Sequence, residues 1–300
     1  ALAEGSDFGG SLRVPAAFCG VVGLRTTPGL VPRVPSAMPF HDQNVGGPMA
    51  RDAEDCALML DALVGLAPDS PLSRVPPWPS AFDAVRRTED ARGLRIAYCA
   101  DIAGIGVDPE IEGACRAAAA GLAGEGATVE EVAFDAGGAR DAFTTLRALV
   151  LLGTYLERLD WLEDLDPNLA GNIRAGLEVA GLDVARAERD RAALWRRFRR
   201  LFERFDLLLT PTVPVPPFPV EGGPPAEIAG RRLASYIDWV APTFVVSLAT
   251  LPAASVPAGA SARGLPIGLQ IVGPQFAEPR ILACARLVTR AHPPGAPPGA

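Results

Sequence analysis

The sequence predicts an α/β fold, and three observations carry that expectation. Residues 94–134 read strand, helix, strand in succession, the order of a layered unit with right-handed crossovers. Residues 138–205 are mainly helical in pattern, and short apolar runs at 206–210, 254–257 and 267–272 have the length of buried strands. Finally, the chain has 300 residues, 49% of them hydrophobic, and a chain of this length buries roughly three quarters of its unfolded surface.

In chain order, the small apolar run 18–24 suits a strand buried between layers. Pro28, Gly29, Pro32 and Pro35 make a turn-rich loop that cannot be helical. His41, Asp42, Gln43 and Asn44 form a polar cluster that reads as a solvated turn, with a pocket edge as the alternative. The clearest helix is 52–64. Asp52 caps it, Gly65 ends it, and Cys56, Met59, Leu60, Leu63 and Val64 make its apolar stripe. The Pro/Ser-rich stretch 68–79, with Trp78, is a connector, better read as a surface excursion than as a domain boundary. A strand is expected at 94–98 and a helix from Asp108-Pro109-Glu110 to about Gly124–Gly126, with proline at its first position. Residues 128–134 form the next strand. The helical stretch 138–205 breaks at Asp166-Pro167 and at Gly181. Asp183 can cap its last helix, whose core face is Leu194, Phe198, Leu201, Phe202 and Phe205. Arginines from 189 to 204 alternate with Glu188, Asp190 and Glu203, so this helix is a solvated amphipathic one rather than a nucleic-acid surface. A strand at 206–210, a Pro-rich extended stretch at 211–224, a helix at 235–248, the strands 254–257 and 267–272 and a helix at 279–290 complete the order. The Pro/Gly tail 291–300 is expected to be disordered, and its His292 is set aside as a catalytic residue.

Composition narrows the function. A net charge of −7 argues against nucleic acid or an anionic membrane as partner. No apolar stretch approaches the ~20 residues of a membrane span. Cys19, Cys56, Cys99, Cys115 and Cys284 have no short-spaced pair, which fits reduced, buried thiols in a cytoplasmic protein. With two histidines and no His/Cys cluster, no metal site is expected. Lysine is absent: all 28 basic residues are arginine.

The stretch from Gly5 to Pro15 holds the chemistry. Gly9 and Gly10 leave backbone N–H groups bare beside the Ser11 hydroxyl, which is what acyl transfer requires: donors for an oxyanion and an attacking oxygen. Gly-Gly-Ser is also ordinary loop chemistry. The nucleophile elbow of α/β-hydrolases needs Gly-x-Ser-x-Gly, and here the last glycine is replaced by Arg13. A Ser-His-Asp triad would have to use His41, in no known order. A phosphate loop needs a lysine that the chain does not have.

Residues 5–25, Gly5-Ser6-Asp7-Phe8-Gly9-Gly10-Ser11-Leu12-Arg13 onward, resemble the central signature of the amidase signature family. The resemblance continues in Gly46-Gly47-Pro48-Met49-Ala50-Arg51, in 206–212, in 251–259 and in Pro266-Ile267-Gly268-Leu269-Gln270-Ile271-Val272-Gly273, in the family's order. It implies one α/β domain over 1–290, a mixed β-sheet covered by helices on both faces. It also implies an amidase that cleaves a small-molecule carboxamide through an acyl-enzyme on Ser11, without metal or organic cofactor. Phe8, Gly9, Gly10 and Ser11 would supply the oxyanion hole, and Ser6, Asp7 and Arg13 would support the loop. Substrate-binding residues stay open; Gln43 and Phe143 are the candidates. The family's remaining catalytic groups, a lysine and a serine on a cis peptide, come from a segment N-terminal to this signature, so the chain is expected to be the C-terminal portion of a longer enzyme and nearly inactive alone. An amidase subunit of an amidotransferase complex, a non-catalytic binding module and a homo-oligomer all remain open.

Overall fold

The computed structural model describes residues 1–291, so the expected tail lies, except for Ala291, outside the described residues, as does His292. Strands β1 (Leu2–Asp7), β2 (Val22–Arg25) and β3 (Val45–Ala50) come first, with helix α1 (Arg13–Cys19) after β1. Helices α2 (Ala53–Leu63) and α3 (Ala81–Arg87) precede the unit β4 (Arg95–Tyr98), α4 (Pro109–Gly124) and β5 (Thr128–Glu131). Three helices follow, α5 (Ala139–Tyr155), α6 (Pro167–Glu178) and α7 (Gly181–Arg204), then β6 (Leu207–Pro211). A two-stranded hairpin, β7 (Glu227–Ile228) with β8 (Arg231–Arg232), leads to α8 (Ala241–Leu248), β9 (Ala253–Ala260), β10 (Pro266–Val272) and α9 (Glu278–Ala291).

The eight longer strands form one mixed sheet in the order β1-β3-β2-β9-β10-β6-β4-β5. β4 lies parallel to β5 and to β6, joined by helical crossovers; every other pairing is antiparallel. Alternation along each strand sorts residues onto two faces. Ile267, Leu269 and Ile271 of β10, with Ile96 and Tyr98 of β4, pack under α2, α3, α4 and α9. Val272, Ala97 and Leu208 face α5, α7 and α8. Helices thus cover both faces, as expected.

Several expected elements have different bounds. The run 18–24 is divided: Phe18 and Cys19 end α1, Gly20 closes it at φ +65, and only Val22–Arg25 is strand. A left-handed residue at a helix end is the ordinary place for glycine. The expected strand 128–134 stops at Glu131, and the helix 235–248 shortens to α8 behind a 3₁₀ turn, Asp238–Val240. Asp52 caps α2 as expected, accepting from the Asp55 N–H at 2.8 Å. Its fully buried face is Ala53, Cys56, Ala57 and Leu60, with Leu63 and Val64 at the margin. Asp183 stands in the first turn of α7, its carboxylate accepting from the Ala180 N–H at 3.2 Å. Cys19 is exposed while the other four cysteines are buried, so the expectation of buried thiols holds for those four.

Candidate active site

The turn between β1 and α1 carries Phe8, Gly9, Gly10 and Ser11, and a buried charge network fixes its shape. Asp7, at the end of β1, is fully buried. Its Oδ1 accepts from the Gly10 N–H at 2.9 Å and its Oδ2 from the Leu12 N–H at 3.2 Å, tying both sides of the turn to one carboxylate. Arg13 grips the same carboxylate with a fork: Nε donates to Oδ2 at 3.0 Å and Nη2 to Oδ1 at 2.9 Å. The rest of its guanidinium reaches Gln270 Oε1 at 2.5 Å, the Thr243 carbonyl at 2.9 Å and Ser247 Oγ at 2.6 Å. Arg25, also buried, donates to the Asp7 carbonyl at 2.6 Å and to the Gln43 carbonyl at 2.8 Å.

Two guanidinium groups thus share one carboxylate. Burial raises the Asp7 carboxyl, but Arg13 and Arg25 outweigh it and hold the group at about 2. Burial brings Arg25 down to about 10, with Asp7 opposing, so it stays protonated at neutral pH. A net positive charge therefore lies beneath the turn, placed to favour an anion above it.

Gly10 is the residue the turn cannot change. Its φ is +133, and a Cβ there would lie 2.3 Å from Thr243 Oγ1. Thr243 Oγ1 lies within hydrogen-bond distance of two carbonyls, Gly9 at 2.6 Å and Val240 at 2.7 Å, and shares its one proton between them, which ties the turn to α8. Gly268 matters for α1: a Cβ would sit 2.5 Å from the Ala17 Cβ, so its absence lets the helix lie on β10.

Ser11 is exposed at the floor of a cleft of about 490 Å³, walled by Phe8, Val14, Phe143, Leu151, Ile237 and Trp239, with Arg147 among the lining residues. Among the expected oxyanion donors, the Phe8, Gly9 and Ser11 N–H groups have no hydrogen-bond partner among the described residues, whereas that of Gly10 is committed to Asp7. Asp7 and Arg13 are brought together. Ser6 is not: it stands exposed on β1 opposite Gly46, outside the network. Phe143 lines the cleft, while Gln43 is buried, is not among the residues lining it, and contributes its carbonyl to Arg25.

The cluster 41–44 is not the solvated turn that the sequence suggests. His41 lies edge-on to Phe8 at 5.3 Å, and burial lowers its imidazole to about 4, so it is neutral. Its Nδ1 has no partner, and no hydrogen bond joins it to Ser11 among the described residues. Asp42 pairs with Arg191 at 2.6 Å.

Sequence reasoning did not single out Thr243, Ser247 or Gln270. The signal was present: two hydroxyls four residues apart in the apolar run 241–248, and one glutamine in the otherwise apolar strand β10. Among the described residues, no group of three or more His, Cys, Asp or Glu side chains could hold a metal ion, and no helix is long and apolar enough to cross a membrane.

A sequence profile of the Amidase family matches residues 1–282. The chain belongs to the amidase signature family. It is 32% identical to an acylamidase of Rhodococcus erythropolis over 289 residues, 95% of this chain and 60% of that protein. It is 34% identical to a glutamyl-tRNA(Gln) amidotransferase subunit of Geobacillus stearothermophilus, over 96% of this chain and 63% of that protein. In three dimensions it resembles a bacterial aryl acylamidase of the family, with a TM-score of 0.87 and 28% identity over 97% of this chain and 62% of the other. The chain therefore spans about three fifths of the length of these amidase-family relatives.

Proposed function

We propose that Ser11 is the nucleophile of an amidase acting on a small-molecule carboxamide. The observation that carries this reading is an exposed hydroxyl beside three unpartnered N–H groups, on a turn clamped over a buried positive charge. Ser11 Oγ attacks the carbonyl carbon as its proton passes to a base. The carbonyl oxygen becomes an oxyanion facing the Phe8, Gly9 and Ser11 N–H groups. The C–N bond then breaks and the amine, or ammonia, leaves with a proton. Water attacks the resulting ester, releasing the acid and restoring the hydroxyl. Asp7, Arg13 and Thr243 are positioning residues: they hold the turn and touch no substrate.

The base is the missing part. His41 is held neutral, but packs against Phe8 without a bond to Ser11. The lysine that the family resemblance implies is not among the residues of this chain. Alone, the chain is expected to turn over amides slowly or not at all, since loss of triad members in serine hydrolases leaves only ~10³–10⁴ over water. The unbroken sheet from Leu2 to Val272 supports a single domain, and five free cysteines support a reducing, cytoplasmic setting. The test is the coding sequence directly upstream of Ala1. An in-frame lysine followed by a Gly/Ser-rich loop supports the amidase, and Ser11→Ala in that longer protein should then lower kcat by ~10⁴ or more. Absence of either feature sinks the hydrolase and leaves a binding module. The likeness to a component of an amidotransferase supports a second reading, in which ammonia passes to a partner; co-purification of that partner would select it.

A further inference from the structure

We propose that the substrate of the Ser11 cleft carries a carboxylate, held by Arg147, on an aromatic or otherwise apolar body; this rests on reading Ser11 as the nucleophile of amide cleavage. Among the described residues, Arg147 is the one charged residue lining the cleft. Phe143, Arg147 and Leu151 lie four residues apart on α5 and all face the cleft, so the guanidinium is built into its wall.

Neutral groups set its orientation. Nη1 donates to Asn172 Oδ1 at 2.5 Å and Nη2 to the Tyr236 hydroxyl at 3.4 Å, while Asn172 Nδ2 donates to the same hydroxyl at 2.7 Å. No carboxylate lies within ion-pair distance of Arg147 among the described residues. Arg140, two turns earlier on the same helix, differs: it pairs with Asp238 at 2.8 Å. Other arginines also lack a counter-ion among the described residues; Arg147 is set apart because its oriented guanidinium belongs to a residue lining the candidate nucleophile's cleft. Its remaining N–H donors suit a planar carboxylate, which a guanidinium can meet with two parallel hydrogen bonds.

The other walls define the body of the ligand. Trp239 stacks on Phe18 at 5.8 Å and meets Phe218 edge-on at 5.1 Å, which holds its ring at one side of the cleft. Phe143 stacks on Phe244 at 4.5 Å and presents its edge under Gly9. The cleft volume falls within the ~300–1,000 Å³ of small-molecule sites.

The test compares 4-acetamidobenzoate with its neutral isostere 4-acetamidobenzamide by titration calorimetry on the Ser11→Ala form of this chain. The benzoate should bind about ten- to a hundredfold more tightly, a charge-assisted hydrogen-bonded pair's worth. Arg147→Gln should erase that preference, Arg147→Lys should keep part of it, and raising the ionic strength should narrow it. Equal binding of the two probes, binding of neither, or a preference that survives Arg147→Gln overturns the proposal. Hydrolysis is read separately. Equal binding leaves Ser11 as the nucleophile untouched, whereas carboxylate preference without turnover in the longer protein removes the amidase reading and leaves the Arg147 site standing.

Discussion

Two buried carboxyl groups respond to pH in opposite directions. Asp7 is held at about 2 against an ordinary 3.8, so folding favours its ionised form. Its contribution is complete above 3.8 and is lost as pH falls through 2; it amounts to about 2 kcal/mol. Glu278 is fully buried under the loop after β2, with Oε1 accepting from the Thr27 N–H at 2.5 Å and Oε2 without a partner. Burial pushes it from an ordinary 4.5 up to about 7, against the pull of the Thr27 bonds. Folding therefore favours its protonated form, and about 3 kcal/mol of stability is lost as pH rises from 4.5 to 7. Urea denaturation at stepped pH should show both limbs. Glu278→Gln should flatten the upper limb alone; an unchanged slope would assign that limb to another group.

At the scale of elements, α8 props the nucleophile turn. Its Thr243 hydroxyl faces Gly9 and its Ser247 hydroxyl faces Arg13, while its Phe244 is buried and stacks face to face on Phe143 of α5, 5° from parallel. Phe244→Ala should cost about 3–5 kcal/mol in chemical denaturation, because the space lies between two helices that cannot both close on it. Val220→Ala, at a residue 88% exposed, should stay within about 0.5 kcal/mol. The helices with local signals were legible in the sequence: Asp52 and the stripe after it gave α2, and Asp108-Pro109 gave α4. The elements without local signals were not. β1 (LAEGSD) and β3 (VGGPMA) hold few β-branched residues and no aromatic ones, and they are strands because they pair with each other along six residues. Pro48 is tolerated in β3 because β2 pairs only with Met49 and Ala50 beyond it. In α1, Pro15 occupies the first turn, where its missing N–H costs nothing, so the helix forms and its last two residues, Phe18 and Cys19, take the start of the run that suggested a strand.

For the whole molecule, the arrangement of thiols gives a direct check on the layers. All five cysteines are free and only Cys19 is exposed. A thiol-reactive chromogenic disulfide should therefore titrate one group per folded chain and five after denaturation, and a reductant should leave the melting temperature unchanged. More than one rapidly reacting thiol in the folded chain would contradict this burial: Cys56, Cys115 and Cys284 lie under α2, α4 and α9, and Cys99 in the layer of α5, α7 and α8.

By itself the sequence determined the fold class, the family and the position of Ser11, because each depends on local chemistry: capping residues, alternation, and a glycine-flanked hydroxyl in a specific signature. It also determined that no lysine of this chain can act as a base. Tertiary structure alone decided what holds the turn in place. Gln270 and Ser247 lie more than 230 positions from Arg13 and reach it only because β10 and α8 fold back over α1. It likewise decided that the Gly10 N–H serves Asp7, that Ser6 stands apart, and that Arg147 faces the cleft. These facts depend on which groups meet across the sheet, and hydrogen bonds between residues so far apart leave no pattern in any short window of sequence.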